Sequence, residues 1–322
     1  MSAAIVAWRK LSRRSTLLAK ALNVELFFFK DRLPYLRAIW QTHFAIRKAN
    51  PSAIIVQLPQ GPLLLQALVL RGLMGCKVIA DVHTGFLLNK GWKEHLLNGP
   101  FKDLLGRADL ILAHNETQLS LIPEKLLAKT LVVYDQWEFI IPQPILKASK
   151  GDYLVFPASF APDEPLKEVI NAVESLDVPI KLYVTGNWKR QAQIKARVSE
   201  RVVFTGFLSD DEFNRLIAGS KAVITGSKRE YTSLMSAWEA VAYNKPLALT
   251  HTETLHSLFG DYAVFFNWEV SESIRKALRT VCTTTPSSTA REKLEQKTYQ
   301  SLQAFKTKIE ILTRSAPSEN TS

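Results

Sequence analysis

Short apolar runs alternate with longer stretches in which apolar residues return every three or four positions, the signature of strands alternating with amphipathic helices. In the first half, Ala3–Trp8, Val24–Phe29, Ile54–Leu58, Lys77–Val82, Leu110–Ala113 and Thr130–Tyr134 predict strands. Between them, Ser12–Leu22, Leu33–Ala49, residues 62–73, Lys93–Gly106 and Asn115–Leu121 predict helices. The Pro-bearing stretch Phe139–Gly151 breaks this rhythm and reads as a linker. A second series follows, with strands Tyr153–Phe156, Ile180–Thr185, Val202–Thr205, Ala222–Thr225, Leu247–Thr250 and Ala263–Phe266. Its helices are expected at Pro165–Ser175, Trp188–Val198, Asp210–Ala218, around Glu239, at Ser271–Val281 and at Ala290–Leu312. Ser209 followed by Glu212 has the spacing of a capping box. Repeated βα units imply parallel sheets with helices on both faces. The expected fold class is therefore α/β, with two Rossmann-like, doubly wound domains. The expected division is 1–146, 147–290, and a C-terminal segment 291–322 that crosses back to the first domain and ends in a frayed tail.

A chain of 322 residues suits two such domains, and 47% hydrophobic with 22% charged residues is a globular composition. The long apolar region 53–80 is interrupted by Pro59, Gly61, Pro62, Arg71 and Lys77, so it reads as strand, turn, helix and strand rather than as a membrane span. Cys76 and Cys282 have no CxxC spacing, which argues against a zinc site or a disulfide framework and for a reducing compartment. The N-terminal residues do not resemble a signal peptide. The net charge of +11 is one-sided: residues 1–150 hold 20 Lys+Arg and 10 Asp+Glu, whereas residues 151–322 hold 21 and 20. A basic N-terminal half suits an anionic membrane surface or anionic acceptor, and a solvated helix face is the bland alternative; nucleic acid is not expected.

The stretch Gly226–Thr250 carries the most chemistry. Strand Ala222–Thr225 runs into a charged, Ser/Thr-rich turn, then into a helix holding Glu239. Strand end, polar loop and helix N-terminus in that order form a cradle for a phosphate-bearing ligand. With Asn244-Lys245-Pro246 behind it, this block resembles the donor element of GT-B glycosyltransferases of the family 4 type. Two further blocks extend the resemblance: Val202–Leu208, a strand ending in a Gly turn, and Asp81-Val-His-Thr-Gly85, a strand end with a His. The resemblance implies two domains facing a cleft, acceptor on the N-terminal one and nucleotide-sugar on the C-terminal one. It implies that Glu239 binds the ribose hydroxyls and that Gly206 and Phe207 lie beside the base. His83 and Glu230 become the candidate catalytic residues, and Thr84, Gly85, Trp92, Arg13 and Arg14 the candidate acceptor contacts. Thr232, Ser233 and Leu234 open the helix and complete the donor set with Gly186.

Two departures from the family pattern shape these expectations. The family pairs two Glu eight positions apart, but Tyr231 lies eight before Glu239 and Glu230 nine before. The family's basic pair after the first strand of the second domain is absent from PASFAPDEPLKE. Lys189 and Arg190 are the first candidates to neutralise a pyrophosphate instead, and Lys228 and Arg229 the second. Asp163-Glu164 is expected to start a helix, and Trp92 and Trp137 either line an acceptor groove or pack in the core. Asp210-Asp211 lacks the Asp-x-Asp spacing of metal-dependent transferases, so no metal and no other cofactor is expected. No GxGxxG follows a first strand, which disfavours a dinucleotide dehydrogenase. The leading expectation is a metal-independent transferase that moves a sugar from a nucleoside-diphosphate sugar to a glycan or lipid-linked acceptor at the cytoplasmic membrane face. A nucleotide-sugar epimerase and a non-catalytic binding relative are the alternatives.

Overall fold

The computed structural model of the chain describes residues 2–88, 98–140, 151–195 and 198–314. The chain divides into two compact units, Met1–Gln136 with Lys297–Ser322, and Trp137–Gln296. The expected domain boundary at residue 146 lies outside the described residues, as do Trp92, most of the expected linker and the tail after Arg314.

The first unit holds strands β1 (Ala3–Trp8), β2 (Glu25–Phe29), β3 (Ala53–Gln57), β4 (Lys77–Asp81), β5 (Leu110–Ala113) and β6 (Thr130–Val132), all parallel, in the order β2-β1-β3-β4-β5-β6. Side chains of a strand alternate between faces, and both faces here are covered. Ala4, Val6 and Trp8 of β1 pack with Ile54, Val56, Val78 and Ala80 against the Leu36–Ala49 and Gly61–Met74 helices. Ala3 and Ile5 pack on the other face with Ile55, Ile79 and Leu112 against the Arg13–Leu22 helix and against Leu302, Phe305 and Ile309 of the last helix, Ser288–Arg314. This is why the strands read as unbroken apolar runs.

The second unit repeats the design with β7 (Tyr153–Pro157), β8 (Lys181–Thr185), β9 (Val202–Gly206), β10 (Ala222–Thr225), β11 (Leu247–Thr250) and β12 (Ala263–Phe266), in the order β12-β11-β10-β7-β8-β9. Leu154, Phe156, Val184 and Ile224 face the Leu166–Glu174 and Ser271–Thr283 helices. Val155, Val223 and Leu249 alternate with them and are fully buried, and the Met235–Ala242 helix lies against β10 and β11. The strand order reverses between β1 and β3 in the first sheet and between β7 and β10 in the second, the places where open α/β sheets bind ligands beyond their carboxyl ends.

Local differences from the sequence expectations have simple causes. The helix expected from Leu33 starts at Leu36, because Tyr35 takes a left-handed φ of 64° and the Asp31 carboxylate accepts the amides of Arg32 and Ala38 to form the turn before it. The segment expected as one helix from Trp188 divides into a 3-10 turn, Trp188–Gln191, and a short helix, Ala192–Lys195. Residues Glu116–Leu121 form a 3-10 rather than an α-helix, started by the Asn115 side chain accepting the Gln118 amide. The expected capping box is present: Ser209 accepts the Glu212 amide and the Glu212 carboxylate accepts the Ser209 amide.

Candidate functional site

In the second unit, the loops after β7, β8 and β10 meet where the strand order reverses. Gly226 ends β10 against Thr250, and a Cβ there would stand 2.4 Å from the Thr250 methyl, so a side chain has no room. The Ser227 amide donates to the Thr250 hydroxyl at 2.9 Å, and that hydroxyl donates back to the Ser227 carbonyl at 3.0 Å. The next residues join this loop to the one after β7. Lys228 donates its amide to the Asp163 carbonyl at 2.7 Å, and the Ser227 hydroxyl meets the Asp163 carboxylate at 3.1 Å. Arg229 pairs with Asp163 at 3.1 Å, and burial pulls its pKa down. Lys228 pairs with Glu168 at 2.6 Å, with its ammonium 4.4 Å from the centre of the Trp268 ring. All four charged side chains in these pairs remain partly open to solvent.

Asp163 and Glu164 precede a helix as expected, and each also organises a loop. Glu164 accepts the amides of Ser159 and Phe160 and the Ser159 hydroxyl. Burial raises its pKa even though these bonds favour the carboxylate. Gly186, after β8, has φ +94°, and a Cβ there would lie 2.1 Å from the Ala158 carbonyl, so only glycine lets the β7 and β8 loops touch. Its amide donates to the Gly206 carbonyl at 2.8 Å, which draws the ends of β8 and β9 together. Phe207 then stands 83% exposed. Lys189 is exposed in the 3-10 turn after Gly186, and the side chain of Arg190 lies outside the described residues.

The Met235–Ala242 helix starts after Leu234, whose side chain makes no cap. Thr232 donates its hydroxyl to the Glu230 carbonyl, and Ser233 accepts from the Trp238 indole at 3.0 Å. Ser236 shares a 2.7 Å hydrogen bond with Thr225 at the end of β10. Glu239 lies in the second turn and is only 4% exposed. Glu230, expected as a catalytic residue, has its carboxylate engaged with the following helix. Its two carboxylate oxygens accept the amides of Glu253 and Thr254 at 3.0 and 3.1 Å and the Thr254 hydroxyl at 3.0 Å. It therefore caps the Glu253–Phe259 helix from a distance, where negative charge is favoured. The one-residue shift in Glu spacing goes with this: Tyr231 takes φ 63° and donates its amide to the Thr254 hydroxyl, turning the loop toward that helix.

In the first unit, charged groups gather at the strand ends. Arg14 is buried and donates to Asp81 at the end of β4 and to Asp135 after β6, at 3.1 Å each. Arg14 was expected beside Arg13 as an acceptor contact; its guanidinium is enclosed and its fork is filled by two carboxylates. Arg13, half-buried, is the first residue of the same helix. His114, after β5, has Nε2 3.3 Å from Asp81, and His83 has Nε2 3.7 Å from the other Asp81 oxygen. The two imidazoles meet edge to face with centroids 4.7 Å apart. Burial, reinforced by Arg14, lowers the His114 pKa to about 4. Burial would raise Asp81, but Arg14 and His114 hold it well below the usual carboxylate range. Among the described residues, Asp81, His83 and His114 offer one ligand atom each within 4.8 Å, the geometry of a cation site. Arg14 already supplies the positive charge there.

Thr84 opens the short Thr84–Leu87 helix and accepts from Gln118 at 3.0 Å. Gly85 lines a cavity of about 430 Å³ with Arg9, Tyr35, Pro59, Gln60 and Asn98, beside the β1/β3 reversal. Trp137 is buried and carries Arg291 over its ring at 5.0 Å, which favours the core reading of that tryptophan. Sequence reasoning missed Asp135, His114 and Glu168. A signal was present for the first two: His114 directly follows an apolar strand and Asp135 directly follows the apolar run Thr130–Tyr134, as Asp81 ends one.

A family described as glycosyl transferases group 1 matches residues 138–301. Several solved structures share the fold of nearly the whole chain. Anabaena Alr3699/HepE in complex with UDP and glucose is 14% identical, with a TM-score of 0.75 over 96% of this chain and 100% of that one. Sucrose-phosphate synthase from Thermosynechococcus elongatus is 12% identical, with a TM-score of 0.72 over 98% and 100%. The apo form of the lipopolysaccharide outer core galactosyltransferase WaaB is 14% identical, with a TM-score of 0.63 over 95% and 100%. No curated protein sequence matches the chain at a significant level.

Proposed function

The chain belongs to the glycosyl transferases group 1 family, and from that premise we propose that it transfers a sugar from a nucleoside-diphosphate sugar to a glycan or lipid-linked acceptor, without a metal. The donor binds in the second unit beyond β7 and β10. The observation that carries this is the junction of the loops after β7 and β10, where Ser227, Lys228 and Arg229 all bond Asp163 and two cations stand at the reversal point of the sheet. Their carboxylate partners are partly open to water, so a diphosphate competes for the cations at a smaller cost than at a sealed pair. It gains charge-assisted bonds from both, bidentate ones from Arg229. The N-terminal turn of the Met235–Ala242 helix adds favourable electrostatics for the departing diphosphate. Glu239 sits buried in the second turn of that helix, behind the polar loop, where its carboxylate accepts from two adjacent ribose hydroxyls. The exposed face of Phe207 stacks on the base.

The acceptor lies on the first unit. His83, held near Asp81, receives the acceptor hydroxyl or takes its proton, and Gly85 leaves room at the cavity wall. The reaction belongs to cell-surface polysaccharide or glycolipid synthesis, with the enzyme peripheral on the cytoplasmic membrane face. Uridine is the first base to test, because the Anabaena structures hold UDP, UDP-glucose, or UDP and glucose. A thermal-shift panel of uridine, guanosine and thymidine diphosphates and their sugars reads the donor directly, since ligand at about 100-fold excess over Kd adds about 2.7 kcal/mol. One nucleotide family should raise Tm, and Glu239→Ala should abolish the rise while the unliganded Tm stays within a few degrees. No shift with any nucleotide, or an undiminished shift in Glu239→Ala, overturns the donor assignment.

A further inference from the structure

The Leu36–Ala49 and Gly61–Met74 helices each carry two apolar faces. Ala38 and Ile46 of the first, and Leu63, Leu64, Ala67 and Leu70 of the second, are buried against the sheet. On the opposite side Leu36, Ile39, Trp40 and Phe44 of the first helix, and Leu65, Val69 and Leu73 of the second, are exposed. The outer residues recur at three- and four-residue steps, so they form stripes rather than scattered positions. Trp40 and Phe44, 63% and 54% exposed, pack against each other with ring centroids 4.7 Å apart and planes tilted by 56°. The two stripes line one groove of about 700 Å³. An apolar stripe on both sides of a helix marks a second contact, and a continuous exposed apolar patch marks an interaction site.

The charge around the patch says what that contact is. Between Asp31 and Asp81 the sequence has no Asp or Glu. Lys30, Arg32, Arg37, Arg47 and Lys48 are all exposed. Asp31 itself is occupied, accepting the amides of Arg32 and Ala38, and its pKa is lowered by those bonds. We infer that these outer helix faces insert into an anionic phospholipid bilayer, Trp40 and Phe44 entering the interface while the surrounding Arg and Lys meet the headgroups. Aromatic and aliphatic side chains flanked by cations are the arrangement that binds an interface without crossing it, and no helix among the described residues is long and apolar enough to cross one.

The surface leads to the proposed acceptor side, and to that extent it deepens the function above. Pro62 lines both the groove and the 430 Å³ cavity that holds Gly85, and Arg9 and Leu33 join that cavity to a basic one of about 650 Å³ lined by Lys30 and Arg32. A bilayer on the groove delivers an anionic lipid headgroup to this chain of cavities.

The test uses the full chain and vesicle flotation with no donor or acceptor sugar, so its result is independent of the transfer reaction. The protein should float with phosphatidylcholine vesicles containing phosphatidylglycerol, not with phosphatidylcholine alone, and high salt should release it. Each cation at an anionic surface is worth about fivefold in binding, so Arg37→Gln with Arg47→Gln should weaken flotation about 25-fold. Trp40→Ser with Phe44→Ser should weaken it comparably, and neither pair should change the circular-dichroism melt. Absence of flotation with the anionic vesicles, or wild-type flotation by both double variants, overturns the inference. So does sedimentation showing a dimer that Trp40→Ser with Phe44→Ser dissociates, because the groove then belongs to a second copy. A failed UDP shift with intact flotation would instead reject only the donor reading.

Discussion

At the carboxyl edge of the first sheet, Arg14 sits between Asp81 and Asp135 with all three side chains nearly sealed from water. At the same edge of the second sheet, Arg229 and Lys228 meet Asp163 and Glu168 with every partner partly open. The ion-pair chemistry is the same and its consequences differ. A sealed pair cannot exchange its partner, because the abandoned charge would remain in a medium of low dielectric. A partly open pair can, because water reaches the released carboxylate. The first cluster therefore holds loops in place, and the second is available to an anionic ligand. On the proposed reading, burial rather than residue type separates the structural Arg14 from the donor-binding Arg229.

The largest effect that can break this comparison comes from Arg14. Arg14→Met leaves Asp81 and Asp135 buried without their cation, and stability should fall by about 3–5 kcal/mol, read from urea unfolding. A loss below about 1 kcal/mol would place Arg14 in the same class as Arg229.

The next effect is the acid response of the first cluster. Burial beside Arg14 holds the folded His114 pKa at about 4, against an ordinary value of 6.5. Below the unfolded value the unfolded chain takes up a proton that the folded one refuses, so stability is full above about pH 6.5 and falls as pH drops toward 4. The loss amounts to roughly 3 kcal/mol over that window. Asp81, held low, adds a further loss as pH falls below its usual carboxylate range. Differential scanning calorimetry across this range should show the decline, and His114→Gln should flatten its upper part. A His114→Gln profile that superimposes on wild type would contradict the burial argument.

Glu230 supplies the smallest effect and sharpens the second site. As a cap on the Glu253–Phe259 helix it should contribute about 1 kcal/mol, so Glu230→Ala lowers Tm by a few degrees. Sugar transfer by the folded variant should persist at a rate within a few-fold of wild type. A loss of several hundredfold at unchanged stability would return Glu230 to the catalytic set.

Much of this was legible in the sequence, and the part that was not has a common cause. Apolar runs such as Ile54–Leu58 and Leu110–Ala113 announce strands covered on both faces, and alternation with helical periods announces the two parallel sheets. The glycines at 186, 206 and 226 were visible as strand-end turns. What failed was the assignment of partners to charged residues. Arg13 and Arg14 are adjacent and look alike, yet helical rotation buries one of them beneath the ends of β4 and β6. Glu230 looks like a displaced family glutamate until the left-handed Tyr231 shows that the loop turns toward Thr254. Both depend on contacts across long sequence separations, which periodicity does not encode. The acid-free span from Arg32 to Ala80 was also readable, but its meaning came from the groove its two helices form.

On the proposed reading, Lys228 and Arg229 exchange their carboxylates for the donor's diphosphate. Calorimetric titration of UDP and of uridine into wild type and into Lys228→Ala with Arg229→Ala tests it most directly. Wild type should bind UDP far more tightly than uridine, and the double variant should bind the two about equally while its unliganded Tm changes little. If the double variant keeps the full preference for UDP, the diphosphate lies elsewhere and the account of the second site is wrong.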